Sequence, residues 1–219
     1  MKIITLTDIH GHLEAIEHVG QILVSADLIL LSGDLTHFGK EKEVRKVIDT
    51  IKNYNQQILT VPGNCDHPQV ESYLHQYQIS LHGRGIILNG LGIIGLGGSL
   101  PCPGHTPNEF TEQQLALLLE HGRSGLQDWD GPLILIAHQP PINTLNDRVA
   151  ENLHVGSKSV RTFIELHQPL ICFTGHIHEG VGIDILGQTR IVNPGPLRNG
   201  GYTFAEIEET VTTLEIREF

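Results

Sequence analysis

No stretch of this sequence approaches the ~20 consecutive apolar residues of a membrane-spanning helix. The opening, Met1-Lys-Ile-Ile-Thr-Leu-Thr-Asp8, meets an acid too early for the apolar core of a secretory signal. A soluble, cytoplasmic chain with no membrane partner is therefore expected. Cysteine is scarce. Cys65, Cys102 and Cys172 are an odd three without the paired spacing of a zinc site, which points to a reducing compartment. Positive charge is also short: 14 Lys and Arg stand against 25 Asp and Glu, a net charge of −11 at pH 7. So acidic a surface repels polyanions, and duplex nucleic acid is not an expected partner. A small phosphate ester remains admissible, because bound cations invert the local field. Repeats, linkers and low-complexity segments are absent too. The 219 residues suit one domain, 1–219, with a sizeable core; homo-oligomerisation stays open.

What is present in quantity is histidine, with 14 residues. Leu170 to Phe173 reads as a buried strand, followed by Gly175, His176 and His178. In extended chain an i, i+2 pair projects to one side, and neutral imidazole is the commonest protein metal ligand. Alone, the pair reads more simply as surface histidines in a turn. The same pattern, an apolar run and then metal-type residues, recurs at four earlier places. Lys2 to Thr7 precedes Asp8-Ile-His10, and Asp27 to Ser32 precedes Gly33-Asp34. Gln57 to Val61 precedes Gly63-Asn64-Cys65-Asp66-His67, and Leu133 to Ala137 precedes His138.

Between these runs, apolar residues recur at helical spacing. Leu13, Ile16, Val19 and Leu23 predict one helix, Lys40–Ile51 a second and Pro68–Tyr77 a third. The opening is thus β-α-β-α-β-α, which implies parallel strands with right-handed crossovers. Gly85 to Leu88 and Leu91 to Leu96, joined through Asn89-Gly90, predict a hairpin. Ser99 to Phe110 reads as a Pro/Gly loop, Thr111 as the N-cap of a helix through Leu119, and Pro141 to Ser157 as a long polar loop. A helix is expected over Ser159–His167, a hairpin around Gly187, a fixed turn at Asn193-Pro-Gly-Pro-Leu197, and two last antiparallel strands over 202–207 and 211–216. The predicted architecture is α/β, with two mixed sheets packed together and helices outside.

Asp8, His10, Asp34, Asn64, His138, His176 and His178 all follow predicted strands. Carboxyl ends of strands in α/β folds gather along one edge, where ligands bind. Two carboxylates, one amide and four imidazoles are too many for one tetrahedral ion, which takes about four ligands. They suit two ions sharing a bridging carboxylate. With N and O donors and no required thiolate, two divalent ions, Mn²⁺ first and Fe or Zn²⁺ next, are favoured over copper(I) or iron–sulfur chemistry.

In that order, Asp8-x-His10, Gly33-Asp34, Gly63-Asn64, His138 and Gly175-His176-x-His178 resemble the calcineurin-like metallophosphoesterases, and Asn193-Pro194-Gly195 resembles a turn of the same family. The resemblance implies a four-layer αββα sandwich and a dinuclear centre. It implies that Asp8, His10 and His178 hold one metal, Asn64, His138 and His176 the other, and that Asp34 bridges them. It further implies in-line attack by a metal-bridging hydroxide on a small phosphodiester, with a phosphomonoesterase or nucleotidase, or a catalytically weak scaffold, as alternatives. Asp34 and Asn64, with Asp66 and His67 beside them, are the catalytic candidates.

Two departures matter. Family members often carry His where this chain has Cys65, although Gly-Asn-Cys-Asp resembles a bacterial and archaeal subgroup. A thiol is the weaker leaving-group acid, so His67 is the expected substitute; otherwise Cys65 reads as a small buried hydrophobe. The loop Gly33 to Gly39 lacks the Asp-Arg-Gly tail of protein serine/threonine phosphatases, which argues against that specialisation. His12, His37 and His105 are lesser candidates for the site, and Arg198 reads as a solvated side chain.

Overall fold

A computed structural model describes residues 1–219. The first half alternates strand and helix: β1 (Lys2–Leu6), α1 (Leu13–Val24), β2 (Leu28–Ser32), α2 (Glu41–Lys52), β3 (Ile58–Val61) and α3 (Pro68–Gln76). The hairpin β4 (Arg84–Leu88) and β5 (Leu91–Leu96) follows, then α4 (Glu112–Ser124) and β6 (Leu133–Ala137). The second half holds β7 (Arg148–Ala150), β8 (Leu153–His154), α5 (Lys158–His167) and β9 (Ile171–Phe173). It ends with β10 (Gly182–Leu186), β11 (Thr189–Asn193), β12 (Gly201–Ile207) and β13 (Val211–Glu218).

Two mixed sheets result. One has the order β13-β12-β1-β2-β3 and the other β10-β11-β9-β6-β5-β4. The central strands β2, β6 and β9 read as continuous apolar runs because both of their faces are covered. Side chains alternate across a strand, so each run divides between two cores. Ile3, Leu30, Ile134, Ile136 and Phe173 fill the space between the sheets. Ile4, Ile29 and Leu31 pack outward under Ile16, Val47 and Leu74 of the first three helices. Leu135 and Cys172 pack outward under Leu115, Leu119, Val160 and Ile164 of α4 and α5. The layers are therefore α, β, β, α, as the sequence predicts. Placing β1–β3 beside β6 and β9 brings the C-terminal ends of five parallel-paired strands to one seam.

Thr111 caps α4 as expected: its Oγ1 accepts from Gln114 N at 3.3 Å, and Gln114 Oε1 accepts from Thr111 N at 2.8 Å. The helix then continues past Leu119 to Ser124. The expected polar loop 141–157 instead contains a 3-10 turn (Leu145–Asp147) and the β7–β8 hairpin. One carboxylate organises it. Asp147 accepts from Asn143 N, Thr144 N and Gly156 N at 2.9–3.1 Å and lies 2.7 Å from His154 Nδ1. Order of this kind leaves no apolar periodicity to read.

Candidate metal centre

Each metal-type residue stands just past the end of a strand, and the loops that carry them are stitched to one another. Asp8 N donates to Gly33 O at 3.1 Å, and His10 N to Asp34 O at 2.8 Å. Gly175 N donates to His138 O at 3.3 Å across the second sheet. Four of the seven residues occupy left-handed backbone: Asp8 (φ +50°), His10 (+48°), Asp34 (+50°) and His176 (+67°). Such conformations are uncommon off glycine and cluster at functional sites. Two motif glycines are required by close approach. A Cβ on Gly63 would collide with the Asp34 carboxylate, and one on Gly175 with Thr7 Oγ1 and, at 2.6 Å, with Asp8 Oδ2.

The donors converge. His178 Nε2 lies 3.4 Å from Asp8 Oδ1, and His10 Nε2 lies 3.9 Å from the same oxygen. His10 Nε2 is 3.8 Å from Asp34 Oδ2, while the other oxygen, Oδ1, is 3.4 Å from His138 Nε2. Asp34 thus stands between two groups: Asp8, His10 and His178 on one side, His138 with Asn64 on the other, Asn64 Oδ1 being 2.9 Å from His138 Nε2. His176 lies beside His138, ring centroids 5.2 Å apart, with its Nε2 3.8 Å from Cys102 Sγ. Sequence reasoning did not place Cys102 here. Its signal was only membership of the Pro/Gly loop, which Asn108 fastens to the Asn64 loop through Asn108 N to Asn64 O at 3.1 Å.

These residues fit divalent ions. Ligands ~2.1 Å from an ion stand roughly 3.0–3.4 Å apart, close to the spacings found. Asp8 Oδ1 is buried and accepts no hydrogen bond, an orphaned anionic oxygen aimed at two imidazoles. Burial would raise the Asp8 carboxyl, but the contact with His178 and the charges of His138, His178 and His10 bring it to about 2. Burial dominates at Asp34 and, with Asp8 and Asp66 nearby, pushes it up to about 7. Burial also lowers His10 to about 4 and His176 to about 3, leaving neutral rings with lone pairs to offer. His178 moves the other way, raised chiefly by its contact with Asp8.

The remaining candidates separate. Asp66 faces away from the donors. Its oxygens accept from Leu35 N (3.0 Å), Thr36 N (2.8 Å), Thr36 Oγ1 (2.7 Å) and Gly63 N (2.8 Å), joining the Asp34 and Asn64 loops. His67 occupies the N-cap position of α3 and does not line the cavity in front of the donors. Cys65 is buried in that cavity, its amide donating to Asp34 Oδ1 at 2.8 Å, and burial raises its thiol. His12 and His37 line the cavity; His105 does not. Arg198 is exposed, as the sequence suggests, and lines the mouth of the same cavity. The turn at Asn193 brings it there: Asn193 Nδ2 donates to Ile177 O at 2.8 Å, and Leu197 N to Thr7 O at 3.1 Å.

Comparison with known proteins agrees with this geometry. The sequence pattern described as calcineurin-like phosphoesterase matches residues 1–180. The chain is similar to an uncharacterized protein of Methanocaldococcus jannaschii, 38% identical over 200 residues that span 90% of this chain and 88% of that one. It is similar to an Arcobacter nitrofigilis protein named a probable glycerophosphodiester phosphodiesterase, 25% identical over 78% of this chain and 64% of that one. Its fold matches the crystal structure of a Thermus thermophilus protein with a TM-score of 0.77 at 22% identity, covering 99% and 98% of the two chains. With that pattern running from β1 through the His176–His178 loop, this chain belongs to the calcineurin-like phosphoesterase family.

Proposed function

We propose that this protein is a dinuclear-metal-dependent phosphodiesterase that hydrolyses small phosphodiesters by in-line displacement. The observation that carries the reading is the position of Asp34, whose two oxygens face His10 and His138 on opposite sides. Asp8, His10 and His178 would hold one ion, Asn64, His138 and His176 the other, and Asp34 both. Two divalent ions, with Mn²⁺ the first choice for this N/O set, would supply a nucleophile from water near neutral pH and Lewis-acid stabilisation of the phosphoryl oxygens.

The chain's own part is placement. Asp34 would offset charge between the two ions, and the Cys65 amide fixes one of its oxygens. Thr7 Oγ1 and His176 N, at 2.8 and 3.1 Å, orient Asp8 Oδ2 and leave Oδ1 free. Ser32 O accepts from His138 Nδ1 at 2.7 Å, which turns Nε2 toward the centre. The diester preference is supported by the name of the Arcobacter relative. The test is a panel of aryl and alkyl diesters, monoesters and plasmid DNA, assayed with Mn²⁺-loaded protein. Diester turnover that is lost in Asp34→Asn, with plasmid left intact, is expected. Turnover confined to monoesters, or rapid plasmid cleavage, would refute the diesterase reading.

A further inference from the structure

The cavity in front of the donors has a composition that chemistry at phosphorus does not require. It measures about 400 Å³. His10 and His178 belong to its floor, and His12, His37, Phe38 and Arg198 to its rim. No carboxylate lines it, in a chain of net charge −11.

Phe38 is the unusual member. It is 47% exposed and has φ +55°, a left-handed backbone that is rare for so bulky a residue. A merely solvated turn would take glycine or asparagine there. The conformation is imposed by the loop that places Asp34: Thr36 Oγ1 accepts from Gly39 N at 3.1 Å and donates to Asp66 at 2.7 Å. Phe38 meets His37 edge-on with centroids 4.8 Å apart, His37 meets His10 at 5.7 Å, and His10 meets His178 at 5.6 Å. An aromatic wall therefore runs from the donors out to the cavity mouth. Beside it Arg198 supplies the one formal cation, with a planar fork suited to phosphate oxygens.

We propose that this cavity is a leaving-group subsite selecting phosphodiesters that carry a planar aromatic ring, with Phe38 as the platform for the ring and Arg198 as the partner of a non-bridging phosphate oxygen. The proposal rests on the phosphodiesterase reading above and adds what that reading leaves open, the class of leaving group. A nucleoside or aryl group presents a flat apolar face to Phe38. A glycerol leaving group presents none.

The test uses two phosphonates in which the group under test is joined to phosphorus through carbon and cannot depart, methoxide being the one, poor, leaving group: the methyl esters of 2-phenylethylphosphonic and propylphosphonic acids. They differ only in a terminal ring. Titration calorimetry on the Mn²⁺-loaded full chain should show the phenyl compound binding about tenfold tighter. In Phe38→Ala the ratio should fall to within about twofold, and in Phe38→Trp it should persist. Arg198→Gln should weaken both compounds by a similar factor. Equal binding by the wild type, binding of neither compound, or a preference that survives Phe38→Ala would overturn the proposal. The two readings fail separately. Ring-selective binding without turnover of any diester sinks the diesterase and keeps the subsite. Turnover with ring-indifferent binding does the reverse.

Discussion

His138 Nε2 stands 2.9 Å from Asn64 Oδ1 while its other ring nitrogen stands 2.7 Å from Ser32 O, so both nitrogens of one buried imidazole face acceptors. A neutral imidazole carries one N–H. With Nδ1 donating to Ser32, the Nε2 lone pair, the Asn64 oxygen and an Asp34 oxygen converge with no donor among them. A cation resolves that arrangement. Metal should therefore stabilise the fold. Saturation to 100 times Kd contributes about 2.7 kcal/mol per site, which raises Tm by roughly 5–10 °C in a chain of this size. Calorimetry with and without chelator measures this, and metal analysis after reconstitution should approach two ions per chain. One ion, or an unchanged Tm, would contradict the dinuclear centre.

Asp34→Asn should cost more activity than His12→Ala. Asp34 faces donors on both sides, whereas His12 only lines the cavity. If Asp34 holds both ions, losing its charge should lower kcat/KM by about 10²-fold or more. The loss in His12→Ala should stay below about tenfold. Kinetics at saturating metal decide, and equal losses would mean that Asp34 does not bridge.

Asp66→Asn should act through positioning. The carboxylate satisfies four donors from two loops. An amide has one acceptor oxygen and would turn its NH₂ against backbone N–H groups. Leaving buried donors unpaired costs about 1–3 kcal/mol each. A Tm lowered by several degrees, together with weaker metal binding, is expected. Lost activity at unchanged Tm and metal affinity would instead make Asp66 a participant in the reaction.

Away from the centre, Glu71 should carry a stability signature of its own. One oxygen accepts from Ser80 Oγ at 2.7 Å and the other is buried without a partner. Burial raises its carboxyl to about 7 from 4.5. The folded state therefore holds this proton more tightly than the unfolded chain. Its contribution is complete below pH 4.5 and is lost as pH rises through 7. Glu71→Gln should remove that slope and exceed the wild type in stability at pH 8, by on the order of 1–3 kcal/mol. Urea melts of both proteins between pH 5 and 8 provide the difference, with pH limits set about the reference values. Parallel stability curves would show that Glu71 is ionised in the fold.

The four layers and the position of the donors were legible because each depends on local pattern. A strand run names its own end, and parallel topology gathers the ends. The limits are equally physical. Asp66 reads as a catalytic candidate by its type and its place two residues after Asn64. What makes it a clamp is the set of N–H groups around it, brought from Leu35 and Thr36 by tertiary folding. Arg198 follows a turn whose anchor, Asn193 on Ile177 O, exists only after the second sheet forms. Phe38 looks like an ordinary loop residue until its backbone angle and its neighbours in space are known.

Departure of the leaving group should be the reaction's weak step. In-line displacement expels an alkoxide, and a positioned acid typically contributes ~10²–10⁴-fold. The residue beside Asn64 is Cys65, whose thiol is held protonated by burial and by the charges of Asp34, Asp66 and Asp8. Such a thiol gives up its proton reluctantly. His67, the substitute suggested by the sequence, does not line the cavity. Diesters of graded leaving-group pKa should therefore show a steep dependence of kcat/KM, with aryl far ahead of alkyl. Cys65→His should flatten the slope by rescuing the poor leaving groups, since an imidazole of pKa ~6.5 donates near neutrality. His67→Ala should leave the slope as it is. His37→Ala is the informative control, because His37 lines the cavity beside Phe38. A wild-type slope that is already shallow and steepens in His37→Ala would make His37 the acid. A slope that steepens in His67→Ala would mean that the α3 N-cap moves to the substrate. A steep slope untouched by any of the three substitutions would leave water to protonate the departing oxygen, and Cys65 would then be no deficit at all.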